Sequence, residues 1–134
     1  MSRHVLDELF DESVHEQLKA RRIAIDKVGA GFGKTGWLDE HILQALHGSE
    51  KTFHTRDHGF YRRASAHSSY CIVYYDVPLV EMAAYIRRFL RHPQFNTHVK
   101  RLGKVIKVTS QRIEFWQRDY STKSVIRWSR AESF

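Results

Sequence analysis

The chain has 134 residues, 42% of them hydrophobic and 28% charged, with a formal net charge of +7. That length suits one domain around one core, and the composition is that of a globular protein, not a disordered one. No apolar run approaches the ~18 residues of a membrane span, the N-terminus lacks the apolar core of a secretory signal, and a single cysteine excludes an internal disulfide, so a cytoplasmic protein without membrane contact is expected.

The charge is unevenly placed. The first sixty residues carry 8 Lys and Arg against 10 Asp and Glu, whereas the remainder carry 14 against 5. A basic half attracts polyanions through phosphate contacts and counterion release. An acidic group beside it suits a metal ion better than a phosphate.

In chain order, Val5 to Phe10 reads as a short strand interrupted by Asp7-Glu8, followed by Asp11. Ser13-Val14-His15-Glu16 matches the capping box, in which Ser13 and Glu16 would satisfy exposed backbone N–H groups, so a helix is predicted from about Val14 to Arg21-Arg22. Arg22 to Val28 alternates as a strand. A glycine-rich loop follows, Gly29-Ala30-Gly31-Phe32-Gly33-Lys34-Thr35-Gly36. Its Gly-Lys-Thr ending imitates a phosphate-binding loop. The first glycine of that motif would fall at Val28, however, and Gly36 opposes the helix that should begin there. The loop therefore reads as the rim of a cleft, with Lys34 within reach of phosphate.

Asp39 precedes a helix with Ile42, Leu43 and Leu46 facing inward, and Gly48 is its expected stop. Thr52 to Thr55 is a short strand leading to Asp57. Tyr70 to Tyr75, which includes Cys71, is continuously apolar or aromatic and reads as a central strand buried on both faces, with Cys71 a structural thiol. The spacing Leu79, Ala83, Ile86, Leu90 predicts an amphipathic helix ending at His92-Pro93. Lys104 to Thr109 is another strand, and Ile113 to Trp116 extends the sheet as a hairpin.

Strands alternating with helices imply an α/β fold with a largely parallel sheet, whose ligands bind beyond the carboxyl ends of the strands. Asp11 and Asp57 both follow a predicted strand, and Asp39 opens a predicted helix. Convergent carboxylates suit a hard divalent cation such as Mg²⁺, which takes oxygen ligands and keeps several waters. Glu12 and Glu40 are adjacent spare ligands. Each acid also has a plain structural role open to it: Asp39 as a helix cap, Asp11 as a turn residue, and Asp57 as the opening of the turn Asp57-His58-Gly59. His54 and His58 flank Asp57 and offer a metal-free alternative, general acid–base cleavage of RNA. The later basic residues, with Tyr61, Tyr85 and Phe95 among them, are of the types that hold phosphates and stack bases, though a solvated charged face has the same composition.

Three blocks resemble the signature of PIN-like proteins: Phe10-Asp11-Glu12-Ser13-Val14, Gly36-Trp37-Leu38-Asp39-Glu40-His41-Ile42-Leu43, and Thr55-Arg56-Asp57-His58-Gly59-Phe60. They are most similar to a compact group of toxins from toxin–antitoxin pairs, whose blocks read Asp-Glu-x-Val, Asp-x-x-Ile-Leu and Thr-x-Asp-x-Asp-Phe. The resemblance spans about residues 5–115. It implies a PIN-like three-layer fold, a largely parallel central sheet flanked by helices, in a single domain over 1–134 with a core to residue 116 and a C-terminal extension over 117–134. It also implies an Mg²⁺- or Mn²⁺-dependent endoribonuclease with Asp11, Asp39 and Asp57 as catalytic metal ligands, helped by Glu12 and Glu40. RNA would lie on Arg56, Arg62, Arg63, Arg87, Arg88, Arg91, Lys100, Arg101 and Lys104. A cognate antitoxin and a second copy of the chain are the implied protein partners. One residue departs from the pattern: the second acid of the third block is Gly59 here. That favours, as the alternative, a catalytically weakened RNA-binding or protein-interaction module. Tyr120 and Trp128 in the unmatched extension are expected to dock on another chain.

Overall fold

The computed structural model describes residues 3–8, 10 and 12–128. In chain order the elements are β1 (His4–Leu6), α1 (Glu12–Ala20), β2 (Ile25–Val28), β3 (Gly31–Phe32), α2 (Asp39–Leu46), β4 (Thr52–Thr55), β5 (Cys71–Asp76), α3 (Met82–Leu90), α4 (His98–Arg101), β6 (Lys104–Thr109), β7 (Arg112–Gln117) and β8 (Ser124–Arg127). Short 3₁₀ turns cover His58–Phe60, Arg63–Ser65 and Leu79–Glu81.

One sheet holds all eight strands in the order β3-β2-β1-β4-β5-β6-β7-β8. β2, β1, β4, β5 and β6 pair in parallel, and β7 and β8 close the far edge as antiparallel strands. The expected α/β class and the predominance of parallel pairing are thus present.

Alternation along the strands divides the core in two. Leu6, Val73, Ile106 and Val108 face α1 and α3, meeting Val14, Leu18, Ile86 and Phe89. Val5, Phe53, Ile72 and Val105 face the other way, onto Ile42 and Leu46 of α2 and onto Phe60. Helices therefore cover both faces, which explains why Cys71 to Tyr75 reads as an unbroken apolar run and is buried throughout. Burial pushes the Cys71 thiol up to about 12, so it is inert, as a strand cysteine should be.

Several local expectations need correction. β1 ends at Leu6 and does not run to Phe10. The Asp7 N–H still bonds to the His54 carbonyl at 2.9 Å, but the Phe10 N–H turns back onto the Asp7 carbonyl at 3.2 Å. The residue directly after β1 is therefore Asp7. α1 already includes Glu12, so Ser13 lies inside the helix and the capping box with Glu16 is not its start. The strand expected from Arg22 begins only at Ile25, because Arg22 has a φ of 61° and belongs to the turn that follows α1.

The extension is not a free tail. β8 joins the sheet, and the Trp128 indole N–H donates to the Thr109 carbonyl at 2.8 Å while Arg88 stacks over its ring at 4.1 Å. Trp128 thus docks on its own chain. Tyr120 is 58% exposed. No helix among the described residues is long and apolar enough to cross a membrane.

Candidate functional site at the carboxyl edge of the sheet

The chain leaves β1 for β2 on one side and returns to β4 on the other. This reversal between β1 and β4 is where open α/β sheets bind ligands, because the connections leaving the two strands diverge to opposite faces. α1 follows β1 on one face, and the 3₁₀ turn after β4 packs Phe60 on the other. Two acids flank the switch point: Asp7 directly after β1 and Asp57 two residues after β4.

Asp57 does open a turn, as its sequence context allows. Its Oδ1 accepts the Gly59 N–H at 2.8 Å and caps the His58–Phe60 turn. Asp39 does not cap its helix. It is the first residue of α2, the cap position is Leu38, and the His41 ring supplies the reciprocal contact by accepting the Leu38 N–H at 3.3 Å. The Asp39 carboxylate is left exposed and faces Asp57. A first side-chain carbon built on Gly59 would sit 3.1 Å from Asp57 Oδ1 and 3.8 Å from Asp39 Oδ2, so both carboxylates border the space that Gly59 leaves open. Partial burial and the Asp57 charge raise the Asp39 carboxyl above its ordinary value, and the Arg62 charge opposes them.

Thr55 joins the other acid to this pair. Its hydroxyl donates to Asp7 Oδ2 at 2.7 Å and accepts the Asp57 N–H at 2.9 Å. Glu8 holds the glycine-rich loop, its two carboxylate oxygens accepting the Gly36 N–H at 3.0 and 3.1 Å. Gly33 in that loop lies flat under Trp37, 2.6 Å from ring to any added Cβ, which is why a side chain is not accepted there. No helix starts at Lys34, since α2 begins at Asp39. The phosphate-loop reading fails on that count.

Of the sequence-proposed acids, Asp39 and Asp57 come together. Asp11 lies outside the described residues. Glu12 is engaged elsewhere, 3.5 Å from His15 and 3.8 Å from Lys27. Among the described residues no group of three or more His, Cys, Asp or Glu side chains could hold a metal ion, so neither Glu12 nor Glu40 completes a triad with the pair.

The basic residues divide. Arg62 acts on Asp39, and Arg56, whose guanidinium donates to the Val77 carbonyl at 3.3 Å, opposes burial and the Asp76 and Asp57 charges that raise the Tyr74 hydroxyl. Around them His58, Tyr61 and Tyr74 form an aromatic group, with Tyr61 and Tyr74 stacked at 6.1 Å and His58 edge-on to Tyr74 at 5.3 Å. Arg63 leans over Trp116 at 5.5 Å. Arg87, Arg88 and Arg91 belong to the end of α3, which returns the chain from the end of β5 to the start of β6 and so finishes at the opposite edge. Lys100 is tied to the Pro93 carbonyl at 2.7 Å, and Lys104 to the Lys100 carbonyl. Arg101 is 4% exposed and donates to Thr52 Oγ1 at the first residue of β4. These last six do not surround the acids.

The histidine pair is separated by the sheet. His54 is fully buried, bonded through Nδ1 to the Tyr75 hydroxyl at 2.8 Å and through Nε2 to His4 at 3.2 Å, while His58 is exposed near Asp57. His54 belongs to the core and cannot reach a substrate beside His58.

Asp7 and Thr55 are the residues that sequence reading passed over. Reading Asp7-Glu8 as a turn would have found Asp7, since two consecutive acids end a three-residue apolar run more readily than they interrupt a longer one. Together the fold and this edge define an α/β protein with a carboxylate pair beside its topological switch point. No protein-family model, curated protein or solved structure matches the chain.

Proposed function

We propose that this protein is a PIN-like, metal-dependent endoribonuclease, the toxin of a toxin–antitoxin pair, hydrolysing RNA phosphodiesters at the Asp39–Asp57 pair. The observation that carries this reading is the meeting of those two carboxylates from separate segments, with no capping bond to occupy Asp39. Two such groups plus a substrate phosphate are a sufficient ligand set for Mg²⁺ or Mn²⁺, which favour oxygen donors and retain water. The raised Asp39 carboxyl fits as well: burial is its larger cause, and the Asp57 charge that adds to it is a repulsion a bound cation would relieve.

A divalent cation held there supplies a more acidic water and charge stabilisation on the phosphodiester. The protein's own groups do the rest. Thr55 keeps the Asp57 backbone in register with Asp7. Arg62 and Arg56 hold the phosphodiester against the acids, and Tyr61, Tyr74 and His58 offer ring faces to the flanking bases. The test is cleavage of single-stranded RNA by purified protein in Mg²⁺ and Mn²⁺, beside an Asp57→Asn variant of unchanged circular dichroism. The variant should be inactive, and cleavage that continues undiminished in chelator refutes the proposal.

Gly59 favours a second reading. With an acid missing where the resembled family has one, the chain would be a catalytically weakened module that binds RNA or a protein partner. RNA binding without cleavage in either metal is the outcome that selects it.

A further inference from the structure

The opposite edge of the sheet, where the strands begin, holds a cleft of about 610 Å³. Arg3, His4, Arg22, His98 and Arg101 are among the residues that line it. They come from four places in the chain: the start of β1, the turn after α1, and both ends of α4.

Their environment is short of acid. Arg101 is 4% exposed, yet among the described residues it meets no carboxylate; Nε donates to Thr52 Oγ1 at 2.9 Å and one terminal nitrogen to the Phe95 carbonyl at 2.8 Å. Neither partner carries charge, and the charge of Arg3 acts on the guanidinium unfavourably, after the larger effect of burial. Among the described residues Arg22 makes no ion pair, and Arg3 pairs only with Glu50, at 3.5 Å with both side chains about half exposed. Such an exposed contact is weak and easily exchanged. A buried cation without a counter-ion costs stability, and an anion bound beside it would offset that cost.

The anion can be specified further. Arg3 and Arg22 are exposed and can turn their planar forks to phosphate or carboxylate oxygens, while Arg101 has one terminal nitrogen beyond those bonded to Thr52 and Phe95; the combined charge exceeds what one carboxylate neutralises, whereas a phosphomonoester carries nearly two charges. The cleft is wide and open to solvent, with far more room than bare phosphate needs. Ile23 and Leu90 supply an apolar wall, and Asn96 and Thr97 polar edges, for an organic body attached to the phosphate. We infer that this cleft is a binding site for a phosphomonoester of nucleotide size, separate from the carboxylate pair at the other end of the strands. It does not depend on the ribonuclease proposal.

Calorimetric titration of the full chain with adenosine 5′-monophosphate, inorganic phosphate and an oligoribonucleotide without terminal phosphates tests this. Saturable binding of the monophosphate is expected, with inorganic phosphate competing. Arg3→Gln combined with Arg22→Asn should weaken it at least about tenfold, since both side chains are exposed and asparagine tolerates the φ of 61° at position 22. Arg101→Lys, which retains the buried charge but not the fork, should weaken it too. Asp57→Asn should leave it unchanged, so failure of the nuclease reading cannot be mistaken for failure here. If the oligoribonucleotide binds in place of the monophosphate, the ligand is a singly charged phosphodiester and the inference of a site for a phosphomonoester of nucleotide size is overturned. No saturable binding of any of the three ligands, or binding indifferent to the Arg3/Arg22 double variant, overturns the inference.

Discussion

The Thr55 hydroxyl donates a 2.7 Å hydrogen bond to the Asp7 carboxylate, and that contact ties the end of β1 to the residue two before Asp57. The same oxygen accepts the Asp57 N–H at 2.9 Å. Thr55→Val preserves shape and β-branching but removes both bonds. Asp7 is 5% exposed, so water cannot easily replace the lost donor. Urea denaturation should show a loss of about 1–3 kcal/mol. RNA cleavage should fall as well, because the Asp57 backbone loses its anchor. A midpoint equal to that of the parent would mean that the hydroxyl does not order this edge.

Gly59 is not in the left-handed region of backbone space, so an L-residue is conformationally allowed there. Its added Cβ would come within 3.1 Å of Asp57 Oδ1, a contact the carboxylate can relieve by moving a few tenths of an ångström. Gly59→Asp should therefore be accepted and should place a third acid beside Asp39 and Asp57. More carboxylate charge tightens binding of hard cations, so Mn²⁺ affinity measured by calorimetry should rise about tenfold. Without metal, the crowded charges should lower the melting temperature. A variant with the parent's Mn²⁺ affinity would separate the Gly59 position from the metal proposal.

Asp39 titrates above its ordinary value because of partial burial and the Asp57 charge, against the opposing charge of Arg62. Carboxyl NMR should show that Asp57→Asn moves the Asp39 midpoint down and Arg62→Gln moves it up. In the folded state this group binds its proton more tightly than in the unfolded chain, so its contribution to stability grows as pH falls through the folded value. Mn²⁺ or Mg²⁺ should lower the midpoint if the pair is the cation site. An Asp39 midpoint indifferent to both substitutions would show that the two carboxylates do not interact.

His4 and His54 make the fold sensitive to acid. Burial, then the Arg101 charge, lower His4 from 6.5 to about 3, and burial holds His54 well below the same value. Both are neutral in the folded protein at pH 7, and the same histidines are mostly neutral in the unfolded chain, so little stability is lost there. Below about 6.5 the unfolded histidines take up protons that the folded ones refuse, and stability falls until the folded values are reached. The slope is about 1.4 kcal/mol per pH unit for each histidine. Chemical denaturation between pH 7 and pH 5 should register it, and His4→Gln should reduce the slope by about one proton. An unchanged slope in that variant would mean that His4 is not buried neutral.

Much of the fold was legible because it depends on local patterns. The apolar run at Cys71 to Tyr75, the spacing of Ala83, Ile86 and Leu90, and the alternation of Lys104 to Thr109 each record which faces are buried, and each became the expected element. The end of β1 was not legible. The hydrophobic Phe10 beyond Asp7-Glu8 suggested a longer strand, whereas the chain turns at Asp7 and buries Phe10 against α1 and α3. His54 and Trp128 misled for a related reason. A sequence records that a polar or aromatic residue is present, but not which face of the sheet receives it or that Tyr75 and Thr109 wait there as partners.

By itself the sequence determined the alternation of strands and helices, the division between an acidic first half and a basic second, and the acids at positions 39 and 57. Only the tertiary structure decided that these two acids meet, that Asp7 is linked to them through Thr55, and that the late basic residues lie mainly at the other edge. The physical reason is that periodicity follows from burial near in the chain, whereas convergence follows from strand order. The reversal between β1 and β4 that assembles the site is a relationship between segments about fifty residues apart, as the pairing of Leu6 with His54 records.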